Sequence, residues 1–162
     1  MNSVEPPSAR PPASSRFPWP PAIYGSAALL AALMSWLAPL GPGASGTVLR
    51  PLGIVVIVAG FALGLSAIRL FRRAGTPAAP IRPSTALVTG GIYRWTRNPM
   101  YLGMSCILVG LGIATGSLWF FIALPLGLFA VTKLAIEPEE AYLARSFGQA
   151  YLDYKASVRR WV

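Results

Sequence analysis

Apolar residues in this chain come in long unbroken blocks, without the alternation or one-sided striping of soluble strands and helices. The first block covers about residues 21–40 and is closed by Gly41-Pro42-Gly43, a strong break. The second covers about 51–71, and Arg69, Arg72 and Arg73 end it. From Tyr101 to Thr132 no Asp, Glu, Lys or Arg occurs. That stretch is too long for one helix across a hydrocarbon core of about 30 Å. It suits two helices with a turn at Thr115-Gly116-Ser117, giving spans of about 99–115 and 118–136, the last kinked at Pro125. Gly60 and Gly64 share one face of the second span, so a neighbouring helix can approach there.

Two segments flank these spans. Residues 1–20 are rich in Pro and Ser and predict an extended or disordered tail. After Ile136, Pro138 suits the first turn of a new helix. Leu143, Phe147, Tyr151, Tyr154 and Val158 then recur at helical spacing, while Arg145, Asp153 and Lys155 lie off that face. The pattern predicts an amphipathic helix over 138–160, lying on or against the membrane domain, with Gly148 as a weak point. The expected architecture is an all-α, polytopic membrane helix bundle: residues 21–162 as one domain, about four transmembrane helices and a C-terminal amphipathic helix.

Composition sharpens this picture. Charged residues make up 12% of the chain, about half the share of a soluble domain. The net charge of +9 invites a nucleic-acid reading, but the basic residues flank apolar spans and form no separate stripe, so no nucleic-acid partner is expected. Thirteen of the fourteen fall before span 1, from the end of span 2 to the start of span 3, and from the end of span 4 onward; only Arg50 falls elsewhere. By the positive-inside rule both termini are expected in the cytoplasm, with the protein in a bacterial inner membrane. There is no His, which excludes His triads, a histidine base and His metal sites. The single Cys106 permits no intramolecular disulfide.

Two polar clusters belong at the same membrane boundary. One, from Gly90 to Gly103, enters span 3; the other, Glu137-Pro138-Glu139-Glu140, leaves span 4 and holds three of the five acidic residues. A hairpin brings its ends together, so the clusters should be neighbours. Singly, the residues have plain structural roles: Arg94 and Arg97 as topogenic flanks, Trp95 and Tyr101 as interfacial anchors, Glu139 and Glu140 as complements to a helix N-terminus. Those roles leave unexplained why acids concentrate opposite the arginines, and ionisable groups at a membrane boundary mark a candidate site.

The first cluster, Gly91-Ile92-Tyr93-Arg94 through Arg97-Asn98-Pro99-Met100-Tyr101-Leu102-Gly103, resembles the Arg-His-Pro-x-Tyr signature of isoprenylcysteine carboxyl methyltransferases. The second, Glu139-Glu140 with Leu143, Phe147-Gly148, Tyr151 and Tyr154, is similar to the C-terminal signature of the same superfamily. Phospholipid N-methyltransferases share the Asn-Pro-Met-Tyr form of the first motif. The resemblance covers about residues 50–162. Asn98 departs from it, standing where the isoprenylcysteine enzymes usually have His; it keeps hydrogen-bonding capacity but not proton transfer.

What the resemblance implies is a methyltransferase that uses S-adenosylmethionine on a lipophilic acceptor: a prenylcysteine-like carboxylate, a phospholipid amine or a hydrophobic small molecule reached through membrane lipid. Its cofactor site would comprise Tyr93, Arg97, Asn98, Pro99, Tyr101, Gly103, Glu139 and Glu140. In it Arg97 would pair with the methionine carboxylate, Glu139 or Glu140 with the ammonium, and Asn98 and Tyr101 with polar edges. The other readings are an NADPH-dependent enzyme like the sterol reductases and a non-catalytic lipid-binding membrane protein.

Overall fold

The computed structural model describes residues 19–43, 48–77 and 84–162. The Pro- and Ser-rich stretch up to residue 18, and Arg82, lie outside them. Among the described residues the protein is a bundle of helices: α1 Trp19–Leu37, α2 Leu49–Arg73, α3 Pro99–Thr115, α4 Trp119–Val131, α5 Glu137–Phe147 and α6 Gln149–Ser157. Three helical stretches are long and apolar enough to cross a membrane, Trp19–Leu37, Leu49–Arg73 and Trp119–Phe147; Pro99–Thr115 is a shorter apolar helix. Leu30, Leu33, Val55, Val58, Phe61, Leu126 and Phe129 are exposed on α1, α2 and α4. Water would penalise that apolar belt; lipid accepts it. The chain is an integral membrane protein.

The seam between α2 and α3 is built on glycines that let the two backbones approach closely. Gly53, Gly60 and Ala67 are buried one heptad apart on α2. A Cβ on Gly60 would stand 2.6 Å from the Gly103 carbonyl oxygen, and one on Gly103 the same distance from the Gly60 oxygen. Gly110 faces Gly53 in the same antiparallel register. Lipid gives helices no hydrophobic reason to associate, so close backbone approach and dispersion hold this pair. Gly64, expected on the same face as Gly60, would carry a Cβ with nothing within 4 Å.

On the other side α1 packs against α4, with Tyr24, Ala31, Leu108, Phe120 and Val131 in a shared core. Two polar contacts tie α1 into it: the Tyr24 and Ser105 hydroxyls lie 2.7 Å apart, and those of Ser35 and Ser117 2.5 Å apart. The turns after α1 and after α3 meet at one end of the bundle. Leu118 N–H donates to the Leu40 carbonyl at 2.8 Å and Trp119 Nε1 to the Ala38 carbonyl at 2.7 Å. Gly116 supplies the left-handed residue (φ 64°) that ends α3.

The exit of α4 corrects the sequence reading. A break was expected at Pro138, with a separate helix over 138–160. Instead α4 runs through a π-helical stretch, Thr132–Ile136, straight into α5. The Glu137 N–H reaches back to the Thr132 carbonyl, and this wider turn makes room for a proline that a regular helix would reject. The 29-residue rod Trp119–Phe147 measures about 44 Å at 1.5 Å per residue, longer than the core of about 30 Å. It is therefore long enough for one end to extend beyond that core. The real break is at Gly148 (φ 55°, ψ −131°), between α5 and α6. The face expected to be amphipathic is turned inward: Leu143, Phe147, Tyr151, Tyr154 and Val158 pack with Ala67, Leu70, Phe71 and Tyr93.

Candidate functional site

The segment between α2 and α3 is fastened at intervals. Thr76 Oγ1 accepts from the Thr85 N–H at 2.8 Å, and the Tyr142 hydroxyl accepts from the Ser84 N–H at 3.0 Å. A short 3₁₀ turn, Gly91–Arg94, then buries Tyr93. Phe71 meets the Tyr93 ring edge-on at 5.6 Å, and the Tyr154 hydroxyl donates to the Tyr93 carbonyl at 2.8 Å. Pro99, locked in φ and lacking an N–H, opens α3 directly after Asn98.

This arrangement brings the two polar clusters onto one cleft. Its lining includes Tyr93, Arg97, Asn98, Pro99, Tyr101, Glu139 and Glu140. Gly103 is placed elsewhere, against Gly60 in the α2–α3 seam. Tyr151 and Tyr154 also line the cleft, together with Phe71 and Ser84. The cleft comprises about 630 Å³ including its open mouth. The grooves between α1 and α4 and between α1 and α3 are lined almost wholly by apolar groups and hold no ionised side chain.

Charge in the cleft is organised around the glutamates. The Tyr101 hydroxyl donates to Glu139 Oε2 at 2.6 Å. Glu140 is buried and serves three cations: Arg97 Nη1 at 3.0 Å, Arg160 Nη2 at 2.9 Å and Lys155 Nζ at 3.4 Å. Arg160 adds Nε to Glu140 Oε1 at 3.0 Å, completing a two-pronged fork. Its hydrogen bonds to Glu140 raise the Arg160 pKa above its ordinary value. Burial pushes the Tyr151 hydroxyl up, and the Glu140 carboxylate beside it adds to the shift. Burial likewise raises Tyr93, with Glu139 contributing.

Asn98 also has a partner within the protein. Its Nδ2 donates to the Arg160 carbonyl at 2.9 Å, and Thr96 Oγ1 donates to the same oxygen at 3.2 Å. Arg97 N–H donates to the Arg159 carbonyl at 3.0 Å. Residues 159–160 thus lie along the back of the Thr96–Asn98 backbone. In the sequence Arg160 stands out only as a topogenic charge, and Thr96 not at all. No local motif marks either one, because their partners are about sixty residues away.

Two polar atoms in this region are buried without a hydrogen-bond partner in the protein: the Tyr93 hydroxyl and Arg97 Nε. Buried polar groups are seldom left so, and both residues line the cleft. The residues therefore fit a ligand that is polar and carries an anionic group, with a carboxylate, Glu139, available for a cationic one. S-adenosylmethionine meets that description. Arg97, Tyr93 and Glu139 are the residues that would hold its polar end.

Comparison with known proteins adds an independent line. The family model described as phospholipid methyltransferase matches residues 48–150. A protein-S-isoprenylcysteine O-methyltransferase of Schizosaccharomyces pombe is 35% identical over 72 residues, covering 44% of this chain and 30% of that protein. One of Dictyostelium discoideum is 35% identical over 77 residues, 48% of this chain and 32% of its own. An uncharacterized protein of Haemophilus influenzae is 32% identical over 63 residues, 39% of this chain and all of that protein. The matched segment spans about a third of the length of the two isoprenylcysteine methyltransferases. No solved structure matches the chain.

Proposed function

Because the chain belongs to the phospholipid methyltransferase family, we propose that it transfers a methyl group from S-adenosylmethionine to a lipophilic acceptor in the membrane. The observation that carries this reading is the cleft where the bundle leaves the membrane, which presents the unpartnered Arg97 Nε and the Glu139 carboxylate on one lining. When bound, the donor supplies an electrophilic methyl group on a sulfonium. The task of the chain is to hold donor and acceptor in line and exclude water, and such positioning is worth several kcal/mol.

Each side chain has a distinct part in that task. Arg97 binds the donor carboxylate through Nε while Nη1 stays on Glu140. Glu139 binds the ammonium, with the Tyr101 hydroxyl fixing the carboxylate. Tyr93 offers its free hydroxyl to a polar edge. Phe71, Tyr151 and Tyr154 wall the space. Asn98 holds the loop to the Arg160 carbonyl, a role that needs a hydrogen-bond donor and no titration. An apolar groove of about 680 Å³ including its open mouth, lined by Leu102, Cys106, Leu124, Leu128 and Trp161, lies on the α3–α4 side of the bundle and suits sideways entry of a lipid-like acceptor. A prenylcysteine-like carboxylate, a phospholipid amine and a hydrophobic small molecule all meet those demands.

Calorimetric titration of the purified protein in detergent tests the donor assignment. S-adenosylhomocysteine should bind, and NADPH should not. Binding of NADPH alone would replace methyl transfer with a reductase reading, and binding of neither would favour a non-catalytic lipid-binding protein.

A further inference from the structure

Arg160 is not part of the cleft lining, yet it touches both halves of the cleft. Through its carbonyl it accepts from Asn98 Nδ2 and Thr96 Oγ1 on the α3 side. Through its guanidinium it forks both oxygens of Glu140 on the α5 side. Glu140 is also the ion-pair partner of Arg97. Left with a single arginine, a buried carboxylate draws a two-pronged pair and occupies two of its donors. Here Arg160 takes Oε1 through Nε and Oε2 through Nη2, and Lys155 adds a charge at Oε2. Arg97 meets Glu140 through Nη1, which also reaches the Tyr151 hydroxyl at 3.4 Å, and its Nε stays buried and unpartnered.

We propose that Arg160 is a positioning residue: by satisfying Glu140 it keeps a donor of Arg97 free for the anionic end of the bound ligand. The inference rests on the reading above, in which that end is the carboxylate of the methyl donor. Without Arg160, Glu140 captures Arg97 more fully, and the cleft loses selectivity for a carboxylate while keeping its walls.

The experiment compares two ligands by calorimetry in one detergent: S-adenosylhomocysteine and its decarboxylated analogue, which keeps the amine. Parent protein, Arg160→Ala and Arg160→Lys are titrated with both. The parent should prefer the carboxylate-bearing ligand. In Arg160→Ala that preference should shrink about tenfold, the worth of roughly one charge-assisted hydrogen bond. Arg160→Lys, which keeps the charge but loses the fork, should fall between. A brace needed only for folding weakens both ligands alike, so an unchanged preference in Arg160→Ala overturns the proposal. A parent that binds both ligands equally overturns the Arg97–carboxylate pairing beneath it. A parent that binds neither overturns the donor reading itself.

Discussion

Glu139 and Glu140 are adjacent in sequence but differ in partners. Glu140 is enclosed by Arg97, Arg160 and Lys155, whereas Glu139 is held by the Tyr101 hydroxyl. Glu139 is therefore the carboxylate free to meet a ligand cation. Glu139→Gln keeps an acceptor for Tyr101, so thermal unfolding should shift by no more than about 1 kcal/mol. The same variant should bind S-adenosylmethionine about tenfold more weakly, as loss of a charged partner costs about 1.5–3 kcal/mol; unchanged affinity removes Glu139 from the site. Asn98 gives a second contrast. Asn98→His can still donate to the Arg160 carbonyl and should retain stability and affinity. Asn98→Leu cannot, and should lose about 1 kcal/mol in denaturant or thermal unfolding. The sequence made Arg97, Asn98, Tyr101 and the two glutamates visible through residue type and motif. It could not show that Asn98 serves a backbone carbonyl, nor that Arg160 comes to Glu140, because nothing local encodes either contact. Gly103 illustrates the converse: motif spacing put it beside the site, while its missing side chain serves the seam with α2.

At the scale of elements, hydropathy alone located the apolar blocks, and the bounds of α3 follow from Pro99 at its start and Gly116 past its end. The fourth block was legible as apolar but not in its ending. Pro138 signals a new helix start in sequence, and a π-helical turn that absorbs a proline carries no comparable signature. The inward face of α5 and α6 was legible as a stripe, but periodicity does not say whether a stripe meets lipid or protein. The α2–α3 seam yields a sharp prediction. Gly103→Leu places atoms where the Gly60 carbonyl stands, so it should cost at least about 1–3 kcal/mol of overpacking and shrink the monodisperse fraction in size-exclusion chromatography. Gly64→Ala, with nothing within 4 Å of its Cβ, should elute and melt like the parent. Equal behaviour of the two variants would contradict the packing described.

For the whole molecule, the site and the charges fall at one end. Arg69, Arg72 and Arg73 end α2, Arg97 precedes α3, and Lys155 and Arg160 surround Glu140. At the opposite end the turns after α1 and α3 hydrogen-bond to each other, and Arg50 is the one basic residue of the 38–50 and 113–119 sequence there. The positive-inside rule then predicts that reporter fusions after Gly43 and Gly116 report the outer side and a fusion after Val162 the cytoplasm. An outer-side signal at Val162 reverses the orientation. A cytoplasmic cleft would draw its donor from the soluble pool and its acceptor from the bilayer. Transfer between those two phases can be read directly by one assay. Purified protein in vesicles of total membrane lipid is incubated with methyl-labelled S-adenosylmethionine, and label is counted in the organic-solvent extract. The parent should move label into the lipid fraction, and Arg97→Lys, which keeps the charge but loses the separate Nε donor, should move about tenfold less or lower. Absence of label with the parent, or equal label with both proteins, would contradict the account.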